Sequence, residues 1–202
     1  LEMNALNQVD AVRCVVIGDS ACGKEQMLKK YASLSGVPYE SSNKQLVTAF
    51  NGRKCVFVDS TVGQNGADPH VFLLCVSVAR QASVEDTVRM ILDTVLDQIR
   101  GVPFVLVGTQ IEKRLLTRIE YNGRDEENYQ PMPLHRAELF AKQIGASKYL
   151  ECSETTGEGL DEVFEEAFEI GRIHALELQE SSARRKSFAE MAKLKRPHCV
   201  TQ

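Results

Sequence analysis

Short apolar runs alternate along the chain with stretches in which apolar residues recur at helical spacing. This alternation predicts a mostly parallel sheet with helices on both faces. The predicted strands are Arg13–Ile17, Gln45–Phe50, Lys54–Asp59, Val71–Val76, Phe104–Val107 and Tyr149–Cys152. Asn51-Gly52 is a strong hairpin signal between the second and third strands, so we expect that pair to be the one antiparallel element.

Helical periodicity predicts four helices, Lys24–Ser33, Val84–Ile99, His135–Ile144 and Leu160–Leu176. Ser83 is expected to cap the second helix, because Asp86 follows it at capping-box spacing. Two of the helices carry apolar stripes that we expect to lie in the core. Their residues are Val84, Val88, Ile91, Leu92, Val95 and Ile99 in the second helix, and Leu160, Val163, Phe164, Ala167 and Phe168 in the last.

The polar segments set the domain organisation. Residues 1–10 form an N-terminal extension, residues 11–178 a single domain, and residues 179–202 a basic tail. Residues 111–133 are polar and turn-rich, which predicts an exposed insertion. The pattern becomes polar and basic after about Ser181, so we expect disorder in the tail.

Composition and charge narrow the function classes. Apolar residues make up 43% of the chain, enough for a core, and the net charge is −4. Residues 184–202 carry about +5, so the remainder carries −9. An acidic body argues against nucleic-acid binding, whereas a basic tail suits an anionic membrane surface. The six cysteines are scattered and show no zinc-site spacing, which indicates reduced thiols in a cytosolic protein.

One segment carries a chemical signature. Gly18-Asp19-Ser20-Ala21-Cys22-Gly23-Lys24-Glu25 directly follows the first predicted strand, as a phosphate-binding P-loop does. Its glycines let backbone N–H groups turn toward phosphate oxygens, and Lys24 supplies a positive charge. The last position departs from the pattern, since a Ser or Thr hydroxyl there holds the Mg²⁺ that bridges the nucleotide phosphates. In this chain that position is Glu25.

Five segments, read in order, resemble the Rho branch of the Ras-like small GTPases. They are Arg13–Lys24, Val71–Val76, Phe104–Gln110, Ala141–Ser153 and Gly159–Glu166. The resemblance covers about residues 11–175. It implies the Ras-like P-loop NTPase fold, of class α/β, in which helices flank a six-stranded, mostly parallel sheet. It also implies GTP or GDP and Mg²⁺ as ligands, if the site survives.

The resemblance assigns roles to particular positions. Gln64 matches the glutamine that orients the attacking water in GTP hydrolysis, and Glu25 and Asp59 stand at the metal-binding positions. The positions that match the family's nucleotide-binding residues are Gly18, Ala21, Gly23, Lys24, Glu25, Gln110, Glu112, Ser153 and Glu154. Glu112 stands where the family has an Asp that binds guanine, and Glu154 stands where it has an Ala. The backbone N–H of residue 154 remains able to meet the guanine O6.

The switch segments depart further from the family pattern. Three residues separate Asp59 from Gly63 instead of two, so either Asp59 is shifted by one or Ser60 occupies the Asp position. Only residues 65–69 follow Gln64 before the next strand begins near His70, and five residues are too few for the family's second switch helix. The first switch is also short, and residues 37–44 offer Ser41 and Ser42 but no matching Thr.

The C-terminus carries a lipidation signal. Cys199-Val200-Thr201-Gln202 fits the C-a-a-X prenylation pattern, in which Gln favours farnesyl. One lipid chain binds membranes marginally, and the basic residues ahead of Cys199 supply a second signal. We therefore expect a prenylated protein at the cytoplasmic face of a membrane, most naturally the plasma membrane, with a cytosolic pool.

These features favour a Rho-like, membrane-anchored signalling protein that acts mainly through protein partners. GTP binding and hydrolysis are expected to be weak or absent, and the partners are effectors or regulators of Rho-type signalling. The alternative is a working, atypical GTP-binding switch that hydrolyses GTP slowly. A third hypothesis, an unrelated P-loop kinase or ATPase, predicts a preference for adenine over guanine.

Overall fold

The computed structural model describes residues 10–19, 21–60, 68–79, 81–99, 101–114 and 131–194. Within these residues, seven strands form one sheet in the order β2-β3-β4-β1-β5-β6-β7. The strands are β1 (Val12–Gly18), β2 (Tyr39–Glu40), β3 (Gln45–Phe50), β4 (Arg53–Asp59), β5 (Val71–Ser77), β6 (Phe104–Thr109) and β7 (Lys148–Glu151). The described helices are α1 (Lys24–Ser35), α2 (Gln81–Ile99), α3 (Leu134–Gln143) and α4 (Leu160–Leu194).

The sheet is mostly parallel, as the sequence predicts. β1 pairs in parallel with β4 on one side and β5 on the other, and β5–β6 and β6–β7 are also parallel. The strand count differs from the predicted six because Tyr39–Glu40 adds a two-residue strand. This strand pairs with β3 in antiparallel fashion, so the β3–β4 hairpin is not the one antiparallel element.

The turn between β3 and β4 confirms the predicted hairpin. Asn51 and Gly52 both have positive φ, 50° and 75°, and the residues flanking them, Phe50 and Arg53, pair across the strands. Positive φ at both central residues is the requirement of a type I′ turn, which Asn-Gly meets at low cost. The local chemistry of two residues therefore fixes the register of this edge of the sheet.

Apolar side chains cover both faces of the sheet. On one face α1 and α4 meet β1, β3 and β4, and the rings of Tyr31 and Phe164 stack with centroids 3.9 Å apart. On the other face α2 and α3 pack against β5 and β6, with Val88 and Phe140 in the core. The predicted stripe of α4 is wholly buried, and so are Val84, Val88 and Ile91 of α2. The side chains of Val95 and Ile99 lie outside the described residues.

Two helix boundaries differ from the predicted ones by three residues or more. α2 begins at Gln81, so Ser83 lies in its first turn and is not its cap. α4 continues to Leu194, beyond the predicted end at Leu176 and through the segment expected to be disordered. Residues 177–187 are all exposed, yet most of them are Glu, Gln, Leu, Ala, Arg or Lys, which are good helix formers. The polar composition is therefore that of a solvated helix.

The predicted insertion at residues 111–133 is anchored at both described ends. Met132 is fully buried, which corrects the expectation that the whole segment is exposed, and its N–H donates to the Val78 carbonyl. Residues 115–130 lie outside the described residues. The five cysteines that the structure describes are buried and free. No helix within the described ranges is both long enough and apolar enough to cross a membrane.

Candidate functional site

The loop between β1 and α1 has the backbone shape that its glycines predict. Gly18 closes β1 with a φ of 153°, and a Cβ there would lie 2.3 Å from the Cys75 carbonyl oxygen. Gly23 precedes the first residue of α1 with a φ of 77°, in the left-handed region. Only glycine fits both positions without strain. The loop therefore delivers Lys24 to the first turn of a twelve-residue helix.

Residues at the end of β6 hold the loop in place. The Gln110 side-chain amide donates to the Ala21 carbonyl over 2.9 Å, and the Thr109 hydroxyl donates to the Cys22 carbonyl over 2.7 Å. Because peptide groups are planar and trans, the N–H groups of Cys22 and Gly23 point away from β6, into the loop. This is the orientation that a phosphate-binding cradle needs.

The charges of the loop are satisfied within the loop itself. The Lys24 ammonium donates to the carbonyls of Gly18 and Asp19, over 2.8 and 2.6 Å. The Asp19 carboxylate accepts a hydrogen bond of 2.8 Å from the Ala21 N–H. Asp19 was not among the predicted site residues, although Asp followed by small residues is a recognisable signal for such a turn. Its negative charge and its hydrogen bond both compete with an incoming phosphate.

The metal position holds an ion-paired carboxylate in place of the family's hydroxyl. The Glu25 carboxylate is partly exposed and is ion-paired with Lys29, one helical turn on, over 2.7 Å. The hydrogen bond from Lys29 lowers the pKa of Glu25, so the group is anionic at neutral pH. Residue 25 therefore has no hydroxyl with which to bind a metal ion. The described ranges contain no cluster of three or more His, Cys, Asp or Glu residues that could hold a metal ion.

Asp59 lies at the end of β4, close to this position. Burial raises the pKa of Asp59, the positive charges of Lys24 and Lys44 oppose that effect, and the negative charge of Glu25 adds to it. Of the two candidates for the family's metal-binding Asp, Asp59 thus lies within electrostatic reach of the loop lysine. Ser60 is buried, and its N–H donates to the Val16 carbonyl. The negative charges of Asp59 and Glu25 repel each other, and the positive charges of Lys24 and Lys44 offset part of that repulsion at Asp59.

The segment that would form the first switch is a short hairpin instead. β2 and β3 are joined by a turn in which the Glu40 carboxylate accepts from the Asn43 amide over 2.7 Å and from the Ser42 hydroxyl over 3.3 Å. The Gln45 side chain also donates to Glu40. The Ser42 hydroxyl, one of two candidates for phosphate and metal contact, is therefore engaged within the turn. The organising role of Glu40 was not predicted, though an acidic residue before Ser-Ser-Asn is a usable turn signal.

The base-recognition side combines anchored and unpartnered groups. The side-chain oxygen of Gln110 accepts hydrogen bonds from the Ser77 hydroxyl over 2.7 Å and from the Lys113 ammonium over 2.8 Å. These bonds hold the Gln110 side chain against the loop. One oxygen of Glu112 accepts from the Thr155 hydroxyl over 3.3 Å, and the other is buried and has no hydrogen-bond partner in the described structure. The Glu154 side chain likewise has one buried oxygen without such a partner. Buried acceptors of this kind are rare and call for a donor.

The loops behind the base side are held rigidly. The buried Ser153 hydroxyl accepts from the N–H groups of Thr155 and Thr156, over 3.2 and 3.0 Å. Arg114, which the sequence did not single out, forms a bidentate pair with Glu151 at 2.5 Å for each bond. The structure thus brings Gly18, Ala21, Gly23, Lys24, Gln110, Glu112, Ser153 and Glu154 around one loop. Gln64 and Cys199 lie outside the described residues.

Comparison with known proteins identifies the relatives of this arrangement. Residues 59–172 match the family model described as Ras family. The chain is 32% identical over 169 residues to the GTP-binding protein RHO1 of Eremothecium gossypii, covering 77% of this chain and 81% of that protein. It is also 32% identical over 179 residues to the GTP-binding protein Rho1 of Kluyveromyces lactis, covering 81% and 86%.

Proposed function

Because the chain belongs to the Rho branch of the Ras family of small GTP-binding proteins, we propose that it signals from a membrane through protein partners, with weak or absent nucleotide binding. Hydrolysis of GTP is negligible under this proposal. The partners are effectors or regulators that recognise Rho-type surfaces. Nucleic acid is not among them, because the body of the chain carries −9.

The observation that carries this proposal is the ion pair at the first turn of α1. Family members need a hydroxyl after the loop lysine, because it holds the metal that screens the phosphate charges. Here the Glu25 carboxylate occupies that position and pairs with Lys29 over 2.7 Å. A bound nucleotide would therefore face the carboxylates of Glu25, Asp19 and Asp59 without a metal between them. Charge repulsion at these short distances weakens nucleotide binding.

The hairpin at residues 39–45 supports partner binding that does not depend on nucleotide. In a nucleotide-controlled switch, this segment orders when the γ-phosphate and its metal hold it. Here Glu40 holds the turn through Ser42, Asn43 and Gln45. A partner that recognises the edge formed by β2 would therefore meet the same surface with or without nucleotide.

The retained shape of the loop favours a second candidate function, an atypical GTP-binding switch. Gly23 keeps its left-handed conformation, and Thr109 and Gln110 still hold the loop carbonyls. Under this alternative Gly18, Gly23, Lys24, Gln110, Glu112 and Ser153 bind the nucleotide, and Gln64 acts in slow hydrolysis. The backbone shape of the loop supports nucleotide binding, whereas the carboxylates of Glu25, Asp19 and Asp59 oppose it.

Membrane attachment is the remaining part of the proposal. Cys199 stands in a C-a-a-X pattern, and Arg184, Arg185 and Lys186 precede it. Basic residues near an anionic leaflet contribute about 1 kcal/mol each, which complements the marginal affinity of a single prenyl chain. The protein is therefore proposed to divide between the cytoplasmic face of a membrane and a cytosolic pool.

Fluorescent GDP and GTP titrations of the purified protein test the proposal, in Mg²⁺ and in EDTA. We expect no saturation at high micromolar nucleotide in either buffer. Glu25→Thr restores the missing hydroxyl, and Glu138→Thr, at an exposed position of α3, is the matched control. Tight wild-type binding that weakens in EDTA would establish the atypical switch instead. If Glu25→Thr binds nucleotide tightly and wild type and Glu138→Thr do not, the loss of nucleotide binding is caused by Glu25 alone.

A further inference from the structure

The side chain of Glu154 lies against the phosphate loop. A Cβ added to Gly23 would lie 2.7 Å from Glu154 Oε1 and 3.1 Å from its carboxyl carbon. Gly23 is the residue at which the loop turns into α1, so the carboxylate lies beside the N-terminus of that helix. A carboxylate beside the first turn of a helix lies near the positive end of the helix dipole.

The second oxygen of this carboxylate makes the placement unusual. Glu154 Oε2 is buried and has no hydrogen-bond partner in the described part of the chain. Burying a carboxylate oxygen without a donor disfavours the folded state, so such an atom needs an explanation. A position beside the N-terminus of α1 compensates part of that cost through the helix dipole.

Hydrogen bonds hold the backbone around Glu154, so a backbone movement cannot easily take the Glu154 carboxylate away from the phosphate loop. Ser153 donates its N–H to the Glu158 carbonyl, accepts at its own carbonyl from Gly157, and caps two further N–H groups with its hydroxyl. The loop after β7 is therefore a closed turn with its ends tied together. Removing the carboxylate from the loop requires a change in the Glu154 side-chain rotamer.

We propose that Glu154 closes the phosphate site by acting as its built-in anion. This inference rests on the proposed function, since it names a further residue that contributes to the loss of nucleotide binding. The carboxylate occupies space beside Gly23 and places a negative charge where phosphate oxygens would lie. It excludes the phosphate part of a ligand whatever base that ligand carries.

The test uses full-length wild type, Glu154→Ala and Glu154→Gln, with Glu158→Ala as a control on the same turn, where the side chain is exposed. Alanine removes both bulk and charge, whereas glutamine removes only the charge. Pyrophosphate, which has no base, is titrated first by thermal shift, and fluorescent GDP second. Removing one like charge about 5 Å from the ligand is expected to raise affinity tenfold or more.

We expect pyrophosphate and GDP to bind Glu154→Ala at least about tenfold more tightly than wild type or Glu158→Ala, with Glu154→Gln between them. Equal affinities in wild type and a folded Glu154→Ala would overturn the proposal, and if that variant does not fold, equal affinities in Glu154→Gln would do so. A gain for GDP without a gain for pyrophosphate would also contradict it. Tight GDP binding by wild type would instead refute the proposed function.

Discussion

His70 allows the packing at the start of β5 to be tested through pH. Its ring is 8% exposed, Nδ1 accepts from the Arg13 N–H over 3.1 Å, and the Arg13 guanidinium lies 3.4 Å from Nε2. Burial lowers the pKa of His70 from 6.5 to about 4, and the positive charge of Arg13 adds to this effect. His174 contributes in the same direction, and Asp68 opposes it.

This lowered pKa makes folding stability fall with acidification. The unfolded chain binds a proton at His70 near pH 6.5, whereas the folded chain binds it only near pH 4. Stability from this group is therefore complete above pH 6.5 and is lost as the pH falls toward 4. The difference in pKa corresponds to about 3 kcal/mol at the low-pH limit, and about 2 kcal/mol of that is lost between pH 7.5 and pH 5.

Urea unfolding at pH 7.5 and pH 5 measures this loss in wild type and in His70→Asn. Asparagine does not titrate, and its side-chain oxygen can accept the hydrogen bond from Arg13. We expect the free energy of unfolding of the variant to fall by about 2 kcal/mol less than that of wild type between the two pH values. His135→Asn, at an exposed position of α3, serves as the control and should keep the wild-type dependence. An equal loss in wild type and His70→Asn would refute the assignment.

Three further changes test the loop, the base-side anchor and the tail. Gly18→Ala places a Cβ 2.3 Å from the Cys75 carbonyl oxygen, so thermal unfolding should show a loss of about 2–4 kcal/mol, and wild-type stability would contradict the close approach. Arg114→Gln leaves the Glu151 carboxylate, 15% exposed, without its cation, which should cost about 2 kcal/mol in urea unfolding. Ser187→Asp adds negative charge to the exposed basic stretch of α4 and should weaken binding to anionic liposomes, while neutral liposomes show no change.

Patterns that depend on a few neighbouring residues could be predicted from the sequence. Asn51-Gly52 specifies its turn through backbone preference alone, and the apolar stripe of α4 specifies its buried face through periodicity. Gly18 and Gly23 likewise predict a loop that turns into a helix, because few other residues adopt those conformations. The fold and the position of the loop follow from such local rules.

Features that depend on distant partners could not be predicted in this way. The contact between Glu154 and Gly23 joins residues more than a hundred positions apart, and Arg114 pairs with Glu151, 37 positions further along the chain. The continuation of α4 was missed for another reason, since a polar stretch rich in helix formers has the composition of both an exposed helix and a disordered tail. Tertiary structure decides such cases.

The nucleotide content of the native protein tests the central proposal most directly. The protein is purified without denaturant, and its bound nucleotide is extracted, identified and counted per chain by chromatography. We predict folded protein that carries far less than one guanine nucleotide per chain, because Glu25, Asp19 and Glu154 all place negative charge at the phosphate site. One tightly held GDP or GTP per chain would contradict that prediction and establish a working nucleotide switch.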